Sequence, residues 1–132
     1  MIGLDTNILV RYLTQDDPAL SPRATELIER RLSLANPGFV TVVTAVETAW
    51  VLESCYSLTN DEIADHMERI LRVDALVVER EQQVHAAMIL MREGGTEFSD
   101  ALIGLLARRA GCAHTLTFDK KASRLDSFKL LT

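Results

Sequence analysis

A chain of 132 residues with a formal net charge of −5 is not a generally basic nucleic-acid binder, so any polyanionic substrate would have to meet a local basic patch or bound cations. No stretch approaches the roughly 18 consecutive apolar residues of a membrane span, which predicts a cytoplasmic protein with no membrane partner. Cys55 and Cys112 fit no metal-binding spacing and are predicted to be small buried apolar groups rather than a disulfide.

The N-terminal half alternates short apolar runs with stretches of helical periodicity. An apolar run at residues 1–4 predicts a buried strand that delivers Asp5 to its end, and a short helix follows. Ser21 and Pro22 are typical of a helix start, a capping hydroxyl followed by proline at the first helical position. Beyond them the pattern predicts a strand at 39–43, helices at 44–54 and 60–72, and a strand at 75–78.

The C-terminal half continues the alternation. It predicts a helix at 81–93 stopped by a glycine pair, a longer helix at 97–110, a strand at 114–118, a polar segment at 119–126 and a last strand at 128–131. Strands that alternate with helices favour a parallel sheet covered by helices on both faces, with right-handed crossovers. The expected fold class is therefore α/β.

Four acids recur at equivalent places in this alternation, three of them just past a predicted strand and one at the start of the long helix. The carboxyl ends of parallel strands meet at one edge of a sheet, where like charges repel unless a cation neutralises them. Oxygen ligands without a partnering His or Cys favour magnesium or manganese. The four acids are Asp5, Glu47, Asp100 and Asp119.

Each of these acids also has a local explanation. Thr44 and Glu47 match the spacing of a helix capping box, and Asp100 sits where a first-turn acid favours the helix dipole. Asp5 and Asp119 could each cap the segment that follows. The joint pattern of four acids favours a metal site over four separate caps.

The long helix carries small residues in register with Asp100, at Gly104, Ala107 and Gly111. This face can approach another backbone closely. We interpret it as drawing the carboxylate into the site, the alternative being a helix that simply packs tightly on the sheet.

Other chemistries lack their motifs. The chain has neither a G-x-x-x-x-G-K-[ST] nor a G-x-G-x-x-G phosphate loop, and no second Asp follows Asp5 two residues later. No nucleophile turn indicates Ser-His-Asp or Cys-His catalysis. His66, His85 and His114 are interpreted as surface or packing residues.

The acids and their flanking residues resemble a PIN domain, and within that family the VapC toxins of toxin–antitoxin pairs. The similar segments run in the family's order across essentially the whole chain. They are Gly3-Leu4-Asp5-Thr6-Asn7, residues 42–52 with Glu47 and Trp50-Val51-Leu52, Phe98-Ser99-Asp100-Ala101-Leu102-Ile103, and Leu116-Thr117-Phe118-Asp119.

This resemblance implies one PIN domain over residues 1–132, a three-layer α/β/α sandwich with a short, mostly parallel sheet. It implies a Mg²⁺- or Mn²⁺-dependent endoribonuclease toxin, in which a metal-activated water attacks an RNA phosphodiester in line and leaves a 5′-phosphate and a 3′-hydroxyl. The implied metal ligands are Asp5, Asp100 and Asp119, Glu47 orients the water or binds a second metal, and Thr6, Asn7 and Thr117 support them.

Substrate and partners are less constrained by the sequence. A phosphate-binding rim and solvated helix charges are equally good interpretations of four basic residues near the acids, Arg11, Lys120, Lys121 and Arg124. The resemblance also implies a homodimer and a cognate VapB-type antitoxin. Trp50 and the apolar faces of the first two helices are interpreted as internal packing rather than a partner groove; those faces comprise Leu9, Tyr12, Leu13, Leu27, Ile28 and Leu32.

Two alternative functions stay open. A catalytically silent PIN-like module would bind RNA or protein through the same surface, and the complete set of four acids argues against it. A structure-specific DNA nuclease uses similar acid clusters, but usually needs a longer chain to grip a duplex.

Overall fold

The computed structural model describes residues 1–132 and contains six α-helices and five short strands. The helices are α1 (Thr6–Thr14), α2 (Leu20–Glu26), α3 (Val42–Ser54), α4 (Asn60–Arg72), α5 (Glu81–Gly94) and α6 (Phe98–Arg109). The strands are β1 (Ile2–Gly3), β2 (Gly38–Val40), β3 (Leu76–Val78), β4 (Thr115–Thr117) and β5 (Phe128–Leu130). The order of elements follows the α/β alternation expected from the sequence.

All strand pairs are parallel, as predicted, but they form two ladders instead of one continuous sheet. The first has the order β1-β2-β3, with Ile2 opposite Gly38 and Gly38 opposite Leu76. The second pairs β4 with β5, with Thr115 opposite Phe128. Both ladders are short, since no strand exceeds three residues.

The junction between β2 and α3 differs from the prediction of a strand at 39–43. The strand ends at Val40, and Thr41 is the N-cap of α3, its hydroxyl accepting a hydrogen bond from the Thr44 N–H at 3.1 Å. The helix has therefore already begun at Thr44, and Glu47 lies more than one turn inside it. The capping-box explanation of Glu47 is wrong, because the cap was supplied three residues earlier.

The start of α2 also differs from the prediction. The helix begins at Leu20, before Ser21. Its first N–H groups are satisfied by Asp17, whose Oδ1 accepts from Ala19 N and Leu20 N, both at 2.8 Å. A carboxylate upstream thus takes the place predicted for the Ser21 hydroxyl. The helix then widens into one π turn over Leu27–Arg31.

The core lies between the helices and the first ladder and is mainly aliphatic. Its largest fully buried side chains come mainly from the helices and include Leu9, Ile28, Leu52, Met67 and Leu102. The predicted internal packing of the first two helices is confirmed for Leu9, Tyr12, Leu13, Ile28 and Leu32, which are all buried.

Three predicted packing residues are instead on the surface. Cys55 and Cys112 are exposed free thiols just beyond the ends of α3 and α6. Trp50 is 63% exposed, and Val43, two helical turns before it on α3, is 75% exposed. Residues seven apart share one helix face, so both side chains lie on the solvent face of α3. None of the helices is both long and apolar enough to span a membrane.

Candidate active site

The end of β1 brings together two of the four acids. Asp5 is the N-cap of α1, and its Oδ1 accepts a hydrogen bond from the Thr6 N–H at 2.7 Å. The buried Thr6 hydroxyl donates instead to Oε1 of Glu47 on α3. Asp5 therefore does cap its helix, as the alternative interpretation expected. Thr6 in addition connects this helix end to Glu47, which lies 42 positions after Asp5 in the chain.

A pocket of about 350 Å³ opens over this junction. Asp5, Asn7 and Glu47 line it, together with Arg11 and Tyr56 on the side towards the end of α3. The predicted supporting residue Asn7 thus faces the same cavity as the two acids. Carboxylates from two separate elements converge on one concave surface, which is the usual form of a binding or catalytic site.

The basic side of this pocket is held by a hydrogen-bonded cluster. Arg11 Nη1 lies 3.1 Å from Asp16 Oδ1, and the Tyr56 hydroxyl donates to Asp16 Oδ2 at 2.7 Å. Hydrogen bonds from Tyr56, Thr14 and Arg11 lower the pKa of Asp16 to about 2, so this carboxylate is charged at neutral pH. Arg11, one of the candidate phosphate contacts, is therefore already paired with an acid, and its charge is largely compensated.

Asp100 and Asp119 form a second pair of acids. Asp100 lies in the first turn of α6 and is half-buried. Burial raises the pKa of Asp100, the negative charges of Glu97 and Asp119 raise it further, and Lys121 acts in the opposite direction. The two predicted site acids are thus close enough for their charges to interact, with little positive charge to compensate them.

Asp119 also organises the turn after β4. Its N–H donates to Thr117 Oγ1 at 3.0 Å, and its Oδ1 accepts from Lys121 N at 2.8 Å and from Ala122 N at 3.4 Å. A short 3₁₀ helix, Ala122–Arg124, follows. The predicted supporting residue Thr117 therefore contacts the backbone of Asp119. Asp119 also caps the segment that follows, as the alternative interpretation expected, and it uses one carboxylate oxygen to do so.

The four acids are thus placed as two pairs. No group of three or more His, Cys, Asp or Glu side chains lies close enough, as placed, to hold a metal ion. The charges that act on Asp100 are those of Glu97, Asp119 and Lys121, and neither acid of the first pair is among them. Carboxylate oxygens are nevertheless the type of ligand that a hard divalent cation prefers. Asp5, Glu47 and Asp119 are exposed, and in each of them one carboxylate oxygen accepts the hydrogen bonds described above while the other accepts none.

The small-residue face of α6 serves packing rather than the acids. A Cβ added at Gly104 would lie 2.1 Å from Ser127 Oγ and 2.7 Å from Phe128 Cε2, so this residue touches the start of β5. Gly111 lies beyond the end of the helix at φ 101° with no neighbour within 4 Å of an added Cβ. The alternative of tight helix packing is the better description of this face.

The remaining basic residues and the histidines take no part in either pair of acids. Lys120 and Arg124 are exposed and make no ion pair. His85 and His114 are exposed and His66 is half-buried, as expected of surface or packing residues. Glu97 was not among the predicted site residues, although it lies one helical turn before Asp100. Asp16 and Tyr56 were not predicted either, because they meet Arg11 only in the folded chain.

A comparison with known protein families finds a match that covers nearly the whole chain. A family model described as PIN domain matches residues 2–127, a span that contains all four acids. No curated protein sequence matches the chain.

Proposed function

This chain belongs to the PIN domain family, whose members are generally metal-dependent nucleases, and on that premise we propose that it is a Mg²⁺- or Mn²⁺-dependent endoribonuclease. Its fold class, helices around a small parallel sheet, is the one that the sequence predicted. We further propose that it acts as the toxin of a toxin–antitoxin pair.

The observation that best supports a nuclease site is the meeting of Asp5 and Glu47 in one pocket, with Thr6 joining them. A capping role explains Asp5 but not Glu47, which lies inside α3 away from any unsatisfied helix end. An acid exposed at a pocket without a cationic partner is more consistent with a ligand or water-orienting role.

The charge at the second pair supports the same assignment. Burial and the neighbouring acids Glu97 and Asp119 both disfavour the ionised form of Asp100. Holding these charged carboxylates close together therefore costs free energy of folding. A divalent cation would remove that cost. Asp5, Asp100 and Asp119 are the proposed ligands, and Glu47 the residue that orients the attacking water.

A bound divalent cation would supply neutralisation of the phosphodiester charge and activation of water. This chain's own residues then have separate tasks. Thr6 fixes the Glu47 carboxylate, Thr117 holds the turn that carries Asp119, and Lys121 can contact a phosphate beside Asp100. The products would be a 5′-phosphate and a 3′-hydroxyl.

The decisive experiment is to incubate purified protein with single-stranded RNA, single-stranded DNA and duplex DNA, each with Mg²⁺, Mn²⁺ or EDTA. We expect cleavage of RNA with either metal and none with EDTA. Cleavage of duplex DNA in preference to RNA would indicate a DNA nuclease, and binding without cleavage under every condition would indicate a silent module.

We also propose that the protein is a homodimer and binds a VapB-type antitoxin. Large exposed apolar side chains, among them Val43, Trp50 and Ile103, would be covered in such assemblies. Light scattering should give twice the 14.7 kDa chain mass for the protein alone. Co-expression with the product of an adjacent reading frame should yield a larger complex without RNase activity. A monomer that retains no partner would contradict both proposals.

A further inference from the structure

A second cavity continues directly from the candidate active-site pocket. It is a groove of about 460 Å³ between α1 and α2, and it shares Asn7 and Arg11 with the first pocket. Its other walls include Arg23 and Arg31 on one side and the apolar side chains of Leu20 and Leu27. A ligand lying in this groove would therefore reach the acids without leaving the concave surface.

The groove is locally positive in a chain whose net charge is −5. Its lining includes three arginines and no acid. Arg11 is paired with Asp16, whereas Arg23 and Arg31 are exposed and make no ion pair. Two cations with no compensating partner thus remain beside a site where an acidic pocket would otherwise repel a polyanion.

The acids on the same helical segment do not neutralise these two arginines. Glu26 pairs with Arg30 at 3.8 Å, and Glu29 accepts a hydrogen bond from the Tyr12 hydroxyl at 3.0 Å. Each acid is engaged elsewhere. The positive charge of the groove is therefore a property of the fold and not only of the local sequence.

Helix geometry sets the spacing of the two cations. Arg23 and Arg31 are eight residues apart, which would correspond to about 12 Å along the axis of a regular α-helix. The second of them, Arg31, is the last residue of the π turn Leu27–Arg31, in which the Leu32 N–H donates to the Leu27 carbonyl at 2.9 Å. Such turns are frequent at functional sites, because they change the direction in which the next side chains project.

We propose that this groove binds the backbone of single-stranded RNA and guides it to the candidate active site, with Arg23 and Arg31 contacting phosphates. Leu20 and Leu27 offer apolar surface to unstacked bases. This inference rests on the proposed nuclease function and assigns a substrate path to that same site. RNA is favoured over an acidic peptide because the groove shares two lining residues with the acid-lined pocket, where a phosphodiester would have to arrive.

The test compares two double variants that remove the same amount of positive charge. Arg23→Ala with Arg31→Ala removes the two groove cations. Arg72→Ala with Arg109→Ala is the matched control, since both residues are exposed and neither lines the groove. Binding of a fluorescent single-stranded RNA is measured in an Asp100→Asn background, so that the RNA stays intact, over a range of salt concentrations.

We expect the groove double variant to lower RNA affinity about tenfold and to flatten the slope of log K against log salt by about 1.4, since each lost single-strand phosphate contact accounts for about 0.7. With Asp100 intact, the same variant should raise KM and leave kcat unchanged. The control double variant should keep the parent slope and KM.

Failure of this inference can be distinguished from failure of the proposed function. A parent protein that cleaves RNA, together with a groove variant that matches the control in slope and KM, would overturn the RNA path but not the nuclease. A parent that never cleaves RNA would overturn the nuclease, and the binding slopes would still decide whether the groove holds RNA. Loss of a protein partner with unchanged RNA binding would assign the groove to that partner and overturn the proposal.

Discussion

Asp5→Asn and Asp100→Asn are each expected to reduce metal-dependent RNA cleavage by on the order of 10³-fold or more, because each removes a charged oxygen ligand from the proposed cation site. The fold should survive both changes. Asparagine caps a helix as well as aspartate does, so the Thr6 N–H keeps its acceptor at position 5. At position 100 the substitution removes a carboxylate whose ionisation the surroundings disfavour.

A stability measurement separates loss of a ligand from loss of the fold. Mg²⁺ should raise the Tm of the parent by preferential binding to the folded state, and this rise should disappear in Asp100→Asn. Without metal, Asp100→Asn should be at least as stable as the parent, because it relieves repulsion with Glu97 and Asp119. A structural role for Asp100 would instead lower the metal-free Tm.

Asp74→Asn is the matched control. Asp74 is exposed and precedes β3, at the opposite end of that strand from the one where the site acids gather. The substitution has the same charge change and should keep full activity and the Mg²⁺-dependent rise in Tm. Metal-dependent RNase activity retained in both Asp5→Asn and Asp100→Asn would contradict the assignment of the site.

The capping motifs show how far local sequence predicts this fold. Two stretches match Thr-x-x-Glu, at Thr44–Glu47 and at Thr59–Glu62. Only the second is a capping box, with Thr59 and Glu62 bonding each other's N–H groups. At the first, Thr41 already caps α3. Spacing alone cannot separate these cases, because the helix start depends on where β2 stops pairing with its neighbours.

Exposure was the least predictable property. The periodicity of α3 identifies a helix, but it is apolar on several faces, so it does not reveal that Trp50 and Val43 face solvent while Thr48 and Leu52 are buried. That choice depends on which elements pack against α3. By contrast, α4 has a sharply divided apolar and polar face, and its bounds were predicted to the residue.

The candidate site was predictable as a set of acids but not as an arrangement. Strand ends and the start of α6 placed the four carboxylates in the chain. The strands pair in parallel as predicted, but β4, which precedes Asp119, lies in a separate ladder from β1 and β2. The division into an Asp5–Glu47 pair and an Asp100–Asp119 pair depends on side-chain contacts, chiefly the bond between Thr6 and Glu47. No spacing in the sequence encodes a contact between residues 41 positions apart.

Gly104→Val is expected to lower the free energy of unfolding by about 2–3 kcal/mol, which corresponds to a fall in Tm on the order of 10 °C. A Cβ at this position would lie 2.1 Å from Ser127 Oγ, 2.7 Å from Phe128 Cε2 and 3.0 Å from Ser127 Cβ. The hydroxyl can rotate away, but the Ser127 Cβ can move only with its backbone, so α6 and the segment before β5 must separate. Urea denaturation measures the change.

Gly94→Val is the control for this prediction. Gly94 ends α5, and an added Cβ there would meet no atom within 4 Å, so the effect should stay within about 0.5 kcal/mol. Ser127→Gly should recover part of the stability lost in Gly104→Val, because it removes two of the three crowded atoms and leaves Phe128 as the remaining contact. If valine were tolerated at position 104 as well as at 94, or if Ser127→Gly brought no recovery, the close approach of α6 to β5 would not be the reason for glycine here.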